Sequence, residues 1–409
     1  MNESIACRFC DAPLVHTFAD LGSTPLANSY LQEADLHEAE PSYPLHARVC
    51  ERCFLVQIPQ QATPEQLFSD YAYYSSYSTT WLEHARRLAE YSSDRFALDS
   101  DSLVIEIASN DGYLLRYFQE RSIPVLGIEP ARNVAAEAIA NGVPTEARFF
   151  GTDYAEELVA RGLQPDLVIG INVLAHVPDI NDFVAGLVRL LEPSGTLIVE
   201  FPHLVNLIRE KQFDTIYHEH FSYLSLLAVE RIFRAHGLEV IDVEQLPTHG
   251  GSIRLFADCR GRTQSESVRK LQELEIRSGL HELSTYTNFA TTVEAAKRSL
   301  RTFLEEARLE GRRVVAYGAA AKGNTLLNTI GATTKDIEYV VDRSPHKQGR
   351  YLPGSHLPIY PPERILTTKP DYVLILPWNL QDEIIRQMAE VKSWGGVFVV
   401  PIPEATVVS

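Results

Sequence analysis

The pattern that most restricts this 409-residue chain is an alternation of short apolar runs with helix-length segments, met twice. From Ser102 onward the runs LVIEIA, VLGIE, DLVIGIN and TLIVEF follow one another, each strand-sized and each separated from the next by room for a helix. Parallel strands need a crossover connection rather than a hairpin, and strands covered on both faces read as unbroken apolar runs. The block therefore predicts βαβ units around a mostly parallel sheet, closing with LEVIDVEQL and GGSIRLFA joined by PTHGGS. A charged, periodic stretch poor in Gly and Pro, between Arg262 and Gly311, predicts one or two long helices. A second alternating block follows: RRVVAYGA, IEYVVD, DYVLILP and GVFVVPIP. It predicts another doubly wound α/β domain, and two such domains suggest two nucleotide-shaped ligands.

At roughly 150 residues per domain, the length allows two to three domains. The formal net charge of −17 opposes general affinity for nucleic acid or an anionic membrane, although a local basic pocket can still hold one small anion. The opening MNESIACRFC lacks the charged and apolar regions of a secretory signal. No apolar run approaches the roughly 18 residues that cross a bilayer. The expectation is a cytoplasmic protein with no nucleic-acid or membrane partner. Its oligomeric state is not readable, and a monomer fits.

Four of the five cysteines form two C-x-x-C pairs, Cys7/Cys10 and Cys50/Cys53, with 39 residues between them. Two such knuckles offer four thiolates for a tetrahedral zinc, and an all-cysteine set leaves no position for a catalytic water. A redox C-x-x-C would follow a βα pattern, which neither pair does. The expectation is a structural zinc, with strands of its own in the long loop between the pairs. Cys259 stands alone in a strand-like run and reads as an inert core residue.

In the first α/β block, LVIEIASNDGYLL places Glu106 in a strand, then turns through Ala108, Ser109, Asn110, Asp111 and Gly112 into a helix. Small residues let backbone approach a cofactor closely, and Asn and Asp tolerate the unusual dihedrals of such a turn. Ala108 stands where the first glycine of an ordinary E-x-G-x-G loop is expected. Glu129, about 20 residues on, is placed to accept both hydroxyls of a ribose. That much suits S-adenosylmethionine or a dinucleotide. DLVIGINVLAHVPD, with Asn172, Leu174 and His176, resembles the strand-four segment that lines the methionine end of the donor in the class I methyltransferase fold.

IYHEHFSYLS (Ile216 to Ser225), the knuckles, EIASNDGYLL, HGGSIR, YGAAAKGNTLLN and DRSPHKQGRYLPG occur in an order, spanning essentially the whole chain, that resembles the nucleotide-sugar C-methyltransferases of deoxysugar and antibiotic-sugar pathways. The resemblance implies three domains: a small zinc-binding domain (1–65), a class I methyltransferase Rossmann-like domain binding S-adenosylmethionine (66–260), and a second Rossmann-like domain for the sugar nucleotide (261–409). It further implies that a nucleotide-diphospho keto-sugar, dTDP-linked, lies in the cleft between the last two. Tyr217, Glu219, His220 and one tyrosine of YAYYSSYS, taken as Tyr71, are the implied active-site residues. The implied reaction removes a proton next to a sugar ketone and lets the enolate take the donor methyl at C3 or C5.

Elementary chemistry agrees with that set. A hydrogen next to a ketone is weakly acidic, so the site needs a base and a group to hold the enolate oxygen. Histidine titrates near neutrality, which suits His220 as the base, and Glu219 can support it or bind a sugar hydroxyl. Tyr217 and Tyr71 can position the sugar or donate to the oxyanion. The other reading of His218-Glu219-His220 is a metal site. His203 and His249 read as hydrogen-bonded structure, while Gly250, Gly251 and Arg254 could approach the sugar or an anion.

In the second block, VVAYGAAAKGNTLLN runs strand, turn, helix. It is not a P-loop, but its Gly318 turn, helix N-terminus, Lys322 and Asn324 suit a diphosphate. Asp342 ends the next strand 24 residues after Gly318, where a ribose-binding acid is expected. Arg343, His346, Lys347 and Arg350 follow as a basic patch in an acidic chain, and Trp378 stands where a base either stacks or packs. Two enzyme classes stay open beside C-methylation: an O- or N-methyltransferase on a related sugar nucleotide, and an NAD-dependent oxidoreductase.

Overall fold

The computed structural model describes residues 5–68 and 75–408. Chain contacts gather these into two compact units, the first from the described parts of Met1–Leu14, Cys50–Leu204 and Phe221–His281, the second from Val15–Val49, Val205–His220 and Glu282–Ser409.

The first unit is built on a seven-stranded sheet with the spatial order Glu239–Leu246, Ser252–Asp258, Thr196–Pro202, Leu167–Ile171, Val104–Ile107, Val125–Ile128, Thr145–Glu146. Counted along the chain this is 6-7-5-4-1-2-3, with the seventh strand antiparallel to both neighbours and the other pairings parallel. It is the class I methyltransferase arrangement expected from the sequence. Leu167–Ile171 is buried at every position because helices cover both faces, which is why it reads as an unbroken apolar run. Ile180–Leu191 supplies one cover: Ile180, Phe183, Val184, Leu187, Leu190 and Leu191 recur at helical spacing and are buried, and the Asp179 side chain accepts from the Asp182 N–H to cap its start. Thr79–Phe96 is capped in the same way by Ser78 and buries Trp81, Ala85, Leu88 and Ala89.

The second unit carries a six-stranded sheet in the order Ile359–Tyr360, Val340–Val341, Val314–Tyr317, Tyr372–Ile375, Val397–Val400, Thr406–Val408, parallel except for the last strand. Counted along the chain this is 3-2-1-4-5-6, the doubly wound order. The long loop between the cysteine pairs does carry strands, His16–Thr24 and Tyr43–Val49, which pair antiparallel. Phe18 of this hairpin stacks on Phe289 at 4.5 Å between ring centroids. Phe289 opens the 21-residue helix Phe289–Leu309, whose Val293, Ala296, Leu300 and Leu304 continue the buried face. The charged stretch between the blocks thus holds two long helices, Glu266–Arg277 in the first unit and Phe289–Leu309 in the second, with the short helix Leu283–Thr287 between them. Among the described residues no helix is long and apolar enough to cross a membrane.

Candidate functional site

Both cysteine knuckles fold alike. The residue after each second cysteine, Asp11 and Phe54, adopts a positive φ and returns its N–H to the carbonyl of the first cysteine, Cys7 and Cys50, at 3.0 and 2.9 Å. The four Sγ atoms lie within 4.8 Å of one another, with Cys7 to Cys53 at 3.6 Å and Cys10 to Cys50 at 3.5 Å. Zinc–sulfur bonds of ~2.3 Å in a tetrahedron put sulfurs about 3.8 Å apart, so the set fits zinc. Four ionised sulfurs this close repel one another and need a cation among them. The knuckles share the hydrophobic core of the first sheet through Cys7, Cys50, Cys53 and Leu55. Among the described residues this is the one cluster of metal-ligating groups.

At the carboxyl end of Val104–Ile107 the chain passes through Ala108 at φ 58, Asn110 at φ 50 and Gly112 at φ 79. Ala108 thus takes the left-handed conformation that a glycine ordinarily supplies. Glu129 holds the turn from the next strand, its carboxylate accepting from the N–H groups of Asn110 at 2.9 Å and Ala131 at 2.8 Å. Burial pushes it up to about 7. The side chains of Asn110 and Asp111 face the other way: Asn110 Oδ1 accepts from the Ser75 N–H, and Asp111 Oδ2 from the Ser76 N–H and hydroxyl. These two residues therefore tie down the segment that leads into Thr79–Phe96, which spacing alone did not reveal. Glu106 is fully buried, and burial raises its carboxyl well above the usual range, with the Tyr113 hydroxyl opposing. Asn172 ends its strand at φ 56 with a buried Oδ1 that has no partner among the described residues, while Leu174 lies in the core. The cradle of positive-φ backbone, Glu129 and the unmatched Asn172 oxygen, all at the carboxyl edge of the strands, fits an adenosine-type methyl donor.

Arg254 pairs with carboxylates of the protein itself. It is buried beside Glu200 across the sheet, with its Nη2 at 3.1 Å, and its Nη1 contacts Glu244 at 2.8 Å. His84 Nε2 meets both oxygens of Glu200, at 2.9 and 3.0 Å. Burial would raise the Glu200 carboxyl, but His84 and Arg254 hold it below the usual range. Likewise His203 is structural, paired to the buried Glu275, whose oxygens also accept from the Leu226 and Leu227 N–H groups at a helix start.

Tyr217, Glu219 and His220 belong to the second unit. The His220 N–H bonds to the Tyr217 carbonyl at 2.9 Å, closing a turn that folds the two rings together with centroids 3.9 Å apart. The Tyr217 hydroxyl reaches His220 Nε2 at 2.7 Å, and His220 Nδ1 reaches the Thr215 carbonyl at 2.8 Å. A carbonyl can only accept, so the neutral ring carries its proton on Nδ1 and presents Nε2 as the base. Glu219 is buried, with Oε1 accepting from Asn28 Nδ2 at 3.1 Å and Oε2 unmatched among the described residues; burial pushes it up to about 7. His218 turns away to meet the Tyr43 ring edge-on at 5.9 Å, so His218 and His220 do not converge on a metal. Tyr71 lies outside the described residues.

The Gly318 turn follows the first strand of the second sheet. Asp342 accepts from the Ala319 and Ser344 N–H groups, both at 2.8 Å, so its carboxylate braces the turn. Lys347 Nζ donates to the Ala319 carbonyl at 2.8 Å, and Asn324 Nδ2 to the Ala27 carbonyl at 2.8 Å. The Tyr30 hydroxyl also donates to Ala319, at 2.7 Å. Asn28 and Tyr30 are site neighbours that the sequence did not flag, because they lie in the loop between zinc ligands and no motif marks them. Arg343 is largely exposed, with Glu383 3.6 Å away. Lys322 lies over Trp378 at 4.2 Å and bonds Asn379.

Three family models match the chain in succession: a zinc binding domain over residues 7–68, a methyltransferase domain over 81–243 and a C-methyltransferase C-terminal domain over 247–403. The chain is 38% identical over 405 residues to the C-methyltransferase NovU of Streptomyces niveus, covering 98% of this chain and 96% of the relative. Among solved structures it is similar to a S-adenosylmethionine-dependent methyltransferase from Clostridium acetobutylicum ATCC 824, at 9% identity over 44% of this chain and 92% of that one, with a TM-score of 0.36. The CcbJ methyltransferase from Streptomyces caelestis is similar at 14% identity over 42% of this chain and 88% of that one, with a TM-score of 0.34.

Proposed function

The chain belongs to the S-adenosylmethionine-dependent C-methyltransferases, and from that premise we propose that its acceptor is a carbon next to the ketone of a nucleotide-diphospho 4-keto-deoxysugar, methylated at C3 or C5 through an enolate. The observation that carries the reading is the His220 ring, whose Nδ1 is fixed on a backbone carbonyl so that Nε2 is the basic nitrogen, facing the Tyr217 hydroxyl at 2.7 Å. A methyl group bound for oxygen or nitrogen meets a lone pair already in place. One bound for carbon first needs a C–H bond broken, and a poised base answers that need.

S-adenosylmethionine supplies a methyl group already activated by its sulfonium. In the first unit, Glu106, Ala108, Asn110, Asp111, Gly112, Glu129, Asn172 and Leu174 would build its site: Glu129 braces the turn and offers its remaining lone pairs to the ribose, Asn172 offers its free oxygen, and Leu174 supplies packing. Zinc would be held by Cys7, Cys10, Cys50 and Cys53, where it joins the knuckles to the core.

His220 Nε2 takes the proton from the carbon beside the ketone, and the C–H electron pair passes into the enolate. Tyr217 holds the ring's tautomer before substrate binds, then turns its hydroxyl to the enolate oxygen. Glu219, whose buried setting favours its protonated form, donates in that form to a sugar oxygen while Asn28 fixes its plane. Lys347 and Arg343 supply positive charge for the diphosphate, with Lys322 on the same sheet edge, and Asp342 and Asn324 hold the turn on which the nucleotide rests. The name of the Streptomyces niveus relative supports C-methylation, and the two doubly wound sheets support two nucleotide-type ligands.

The test uses the zinc-loaded protein with S-adenosylhomocysteine in deuterated water and a panel of 4-keto nucleotide sugars, dTDP-linked ones first. Deuterium should enter C3 or C5 of the true substrate, and His220→Asn should abolish the exchange. In a parallel reaction with S-adenosylmethionine the methyl group should appear on that same carbon; transfer to oxygen or nitrogen there, with no exchange in the S-adenosylhomocysteine reaction, would overturn the reading.

A further inference from the structure

Asp214 and Lys322 bring opposite charges to one place in the second unit without pairing directly. Asp214 is fully buried in the turn Phe213–Thr215. Its Oδ2 accepts the Trp378 indole N–H at 2.7 Å, and its buried Oδ1 has no hydrogen-bond partner among the described residues. Lys322, in the first turn of the helix Ala321–Thr329, donates to Asn379 Oδ1 and lies over the Trp378 ring. Each charge favours the other, yet no ion pair within 4.0 Å joins them. Burial pushes the Asp214 carboxyl up to about 6 and the Lys322 ammonium down to about 8, so neither charge is well solvated.

Their place in the fold points to a ligand. Lys322 follows the strand Val314–Tyr317, and Trp378 and Asn379 follow Tyr372–Ile375. These strands are neighbours where the sheet order reverses, and ligands of open α/β sheets bind in the crevice outside the carboxyl ends at that point. A buried carboxylate oxygen without a donor is costly and is seldom retained unless something else completes it. A hydroxyl group serves both charges at once: its O–H donates to Asp214 Oδ1 and its oxygen accepts from Lys322 Nζ.

We propose that Asp214 and Lys322 together bind one hydroxyl group of the nucleotide ligand, on its pentose or its hexose, and that Lys322 therefore reads a hydroxyl rather than neutralising the diphosphate. This rests on the reading that the second unit binds a sugar nucleotide. It adds Asp214 as a binding residue that no spacing or motif marks.

Calorimetric titration of the zinc-loaded protein, saturated with S-adenosylhomocysteine, tests it with three ligands: a nucleoside diphosphate, the same molecule lacking its pentose hydroxyl, and a 4-keto nucleotide sugar. Asp214→Asn keeps the shape and an oxygen for the Trp378 indole, and Lys322→Met keeps the stem. Each variant should weaken the hydroxyl-bearing ligand about ten- to a hundredfold. A loss already present with the nucleoside diphosphate, and absent for its deoxy form, puts the hydroxyl on the pentose. A loss confined to the nucleotide sugar puts it on the hexose. Wild-type affinity in both variants, for every ligand, would mean that a water completes Asp214 and would overturn the inference alone. A Lys322→Met loss that Asp214→Asn does not share would return Lys322 to the diphosphate, also overturning it. A wild-type protein that binds none of the three overturns the parent reading and this one with it.

Discussion

The Tyr217 hydroxyl lies 2.7 Å from Nε2 of His220, three residues on, while Nδ1 of the same ring lies 2.8 Å from the Thr215 carbonyl oxygen. The ring is thus held at both nitrogens before substrate arrives. His220→Asn should lower turnover by about 10²- to 10⁴-fold, the usual worth of a general base, and leave affinity for S-adenosylhomocysteine within severalfold. Tyr217→Phe distinguishes a supporting hydroxyl from an obligatory relay. As lock and oxyanion donor it should cost about ten- to a hundredfold in kcat with deuterium exchange slowed but measurable, whereas complete loss of exchange would make the phenol the proton's first stop.

Much of this was legible from the chain alone, and the reasons are physical. The alternating apolar runs mark both sheets because parallel strands are covered on both faces, and every long run proved to be a strand. The cysteine pairs converge because their spacing encodes two like turns. What spacing could not show is partnership. The turn through Asn110 and Asp111 is visible in sequence, but not that their side chains also accept from Ser75 and Ser76. Asn28 reaches Glu219 across 191 positions of chain, and Asp214 faces Trp378 across 164. Short strands such as Thr145–Glu146 and Ile359–Tyr360 carry too few residues to leave any period.

Glu219 gives a pH signature in the ligand-free protein. Its folded-state pKa of about 7 lies above the ordinary 4.5, so the folded protein holds a proton that the unfolded chain releases between those values. The stability this contributes is fully present below about pH 4.5 and is lost as pH rises through 7. Glu219→Gln keeps the bond from Asn28 and carries no titrating proton. Denaturant unfolding from pH 5 to 8 should therefore show the variant gaining on the wild type as pH rises, by on the order of 3 kcal/mol at most. A constant difference across that range would show that Glu219 does not take up the proton.

Zinc removal should act on folding before chemistry. The knuckles contribute Cys7, Cys50 and Cys53 to the core of the first sheet, so losing the ion leaves buried thiols packed against each other under Leu55 and its neighbours. One equivalent of zinc should be found by elemental analysis, and Cys50→Ser should reduce it well below one. Chelation should lower the melting temperature and expose the N-terminal knuckles to protease, and zinc alone should restore both. A chelated protein with unchanged melting temperature would mean that the ion does not stabilise the fold.

The donor turn offers paired substitutions with opposite signs. Gly112 sits at φ 79, and a Cβ there would lie 2.8 Å from Val143 Cγ2, so Gly112→Ala meets both backbone strain and a branched side chain with little room to move. It should cost about 1–3 kcal/mol in stability and weaken S-adenosylhomocysteine binding, since the turn must shift to admit it. Ala108, four residues earlier, already bears a left-handed backbone at φ 58 that glycine adopts freely. Ala108→Gly should therefore raise stability, by about 1 kcal/mol, where the same change at a right-handed position would lower it. Thermal unfolding of the two variants, with and without S-adenosylhomocysteine, checks the pair. A destabilised Ala108→Gly would mean that the alanine methyl contributes more by packing beside the donor than its backbone loses by strain.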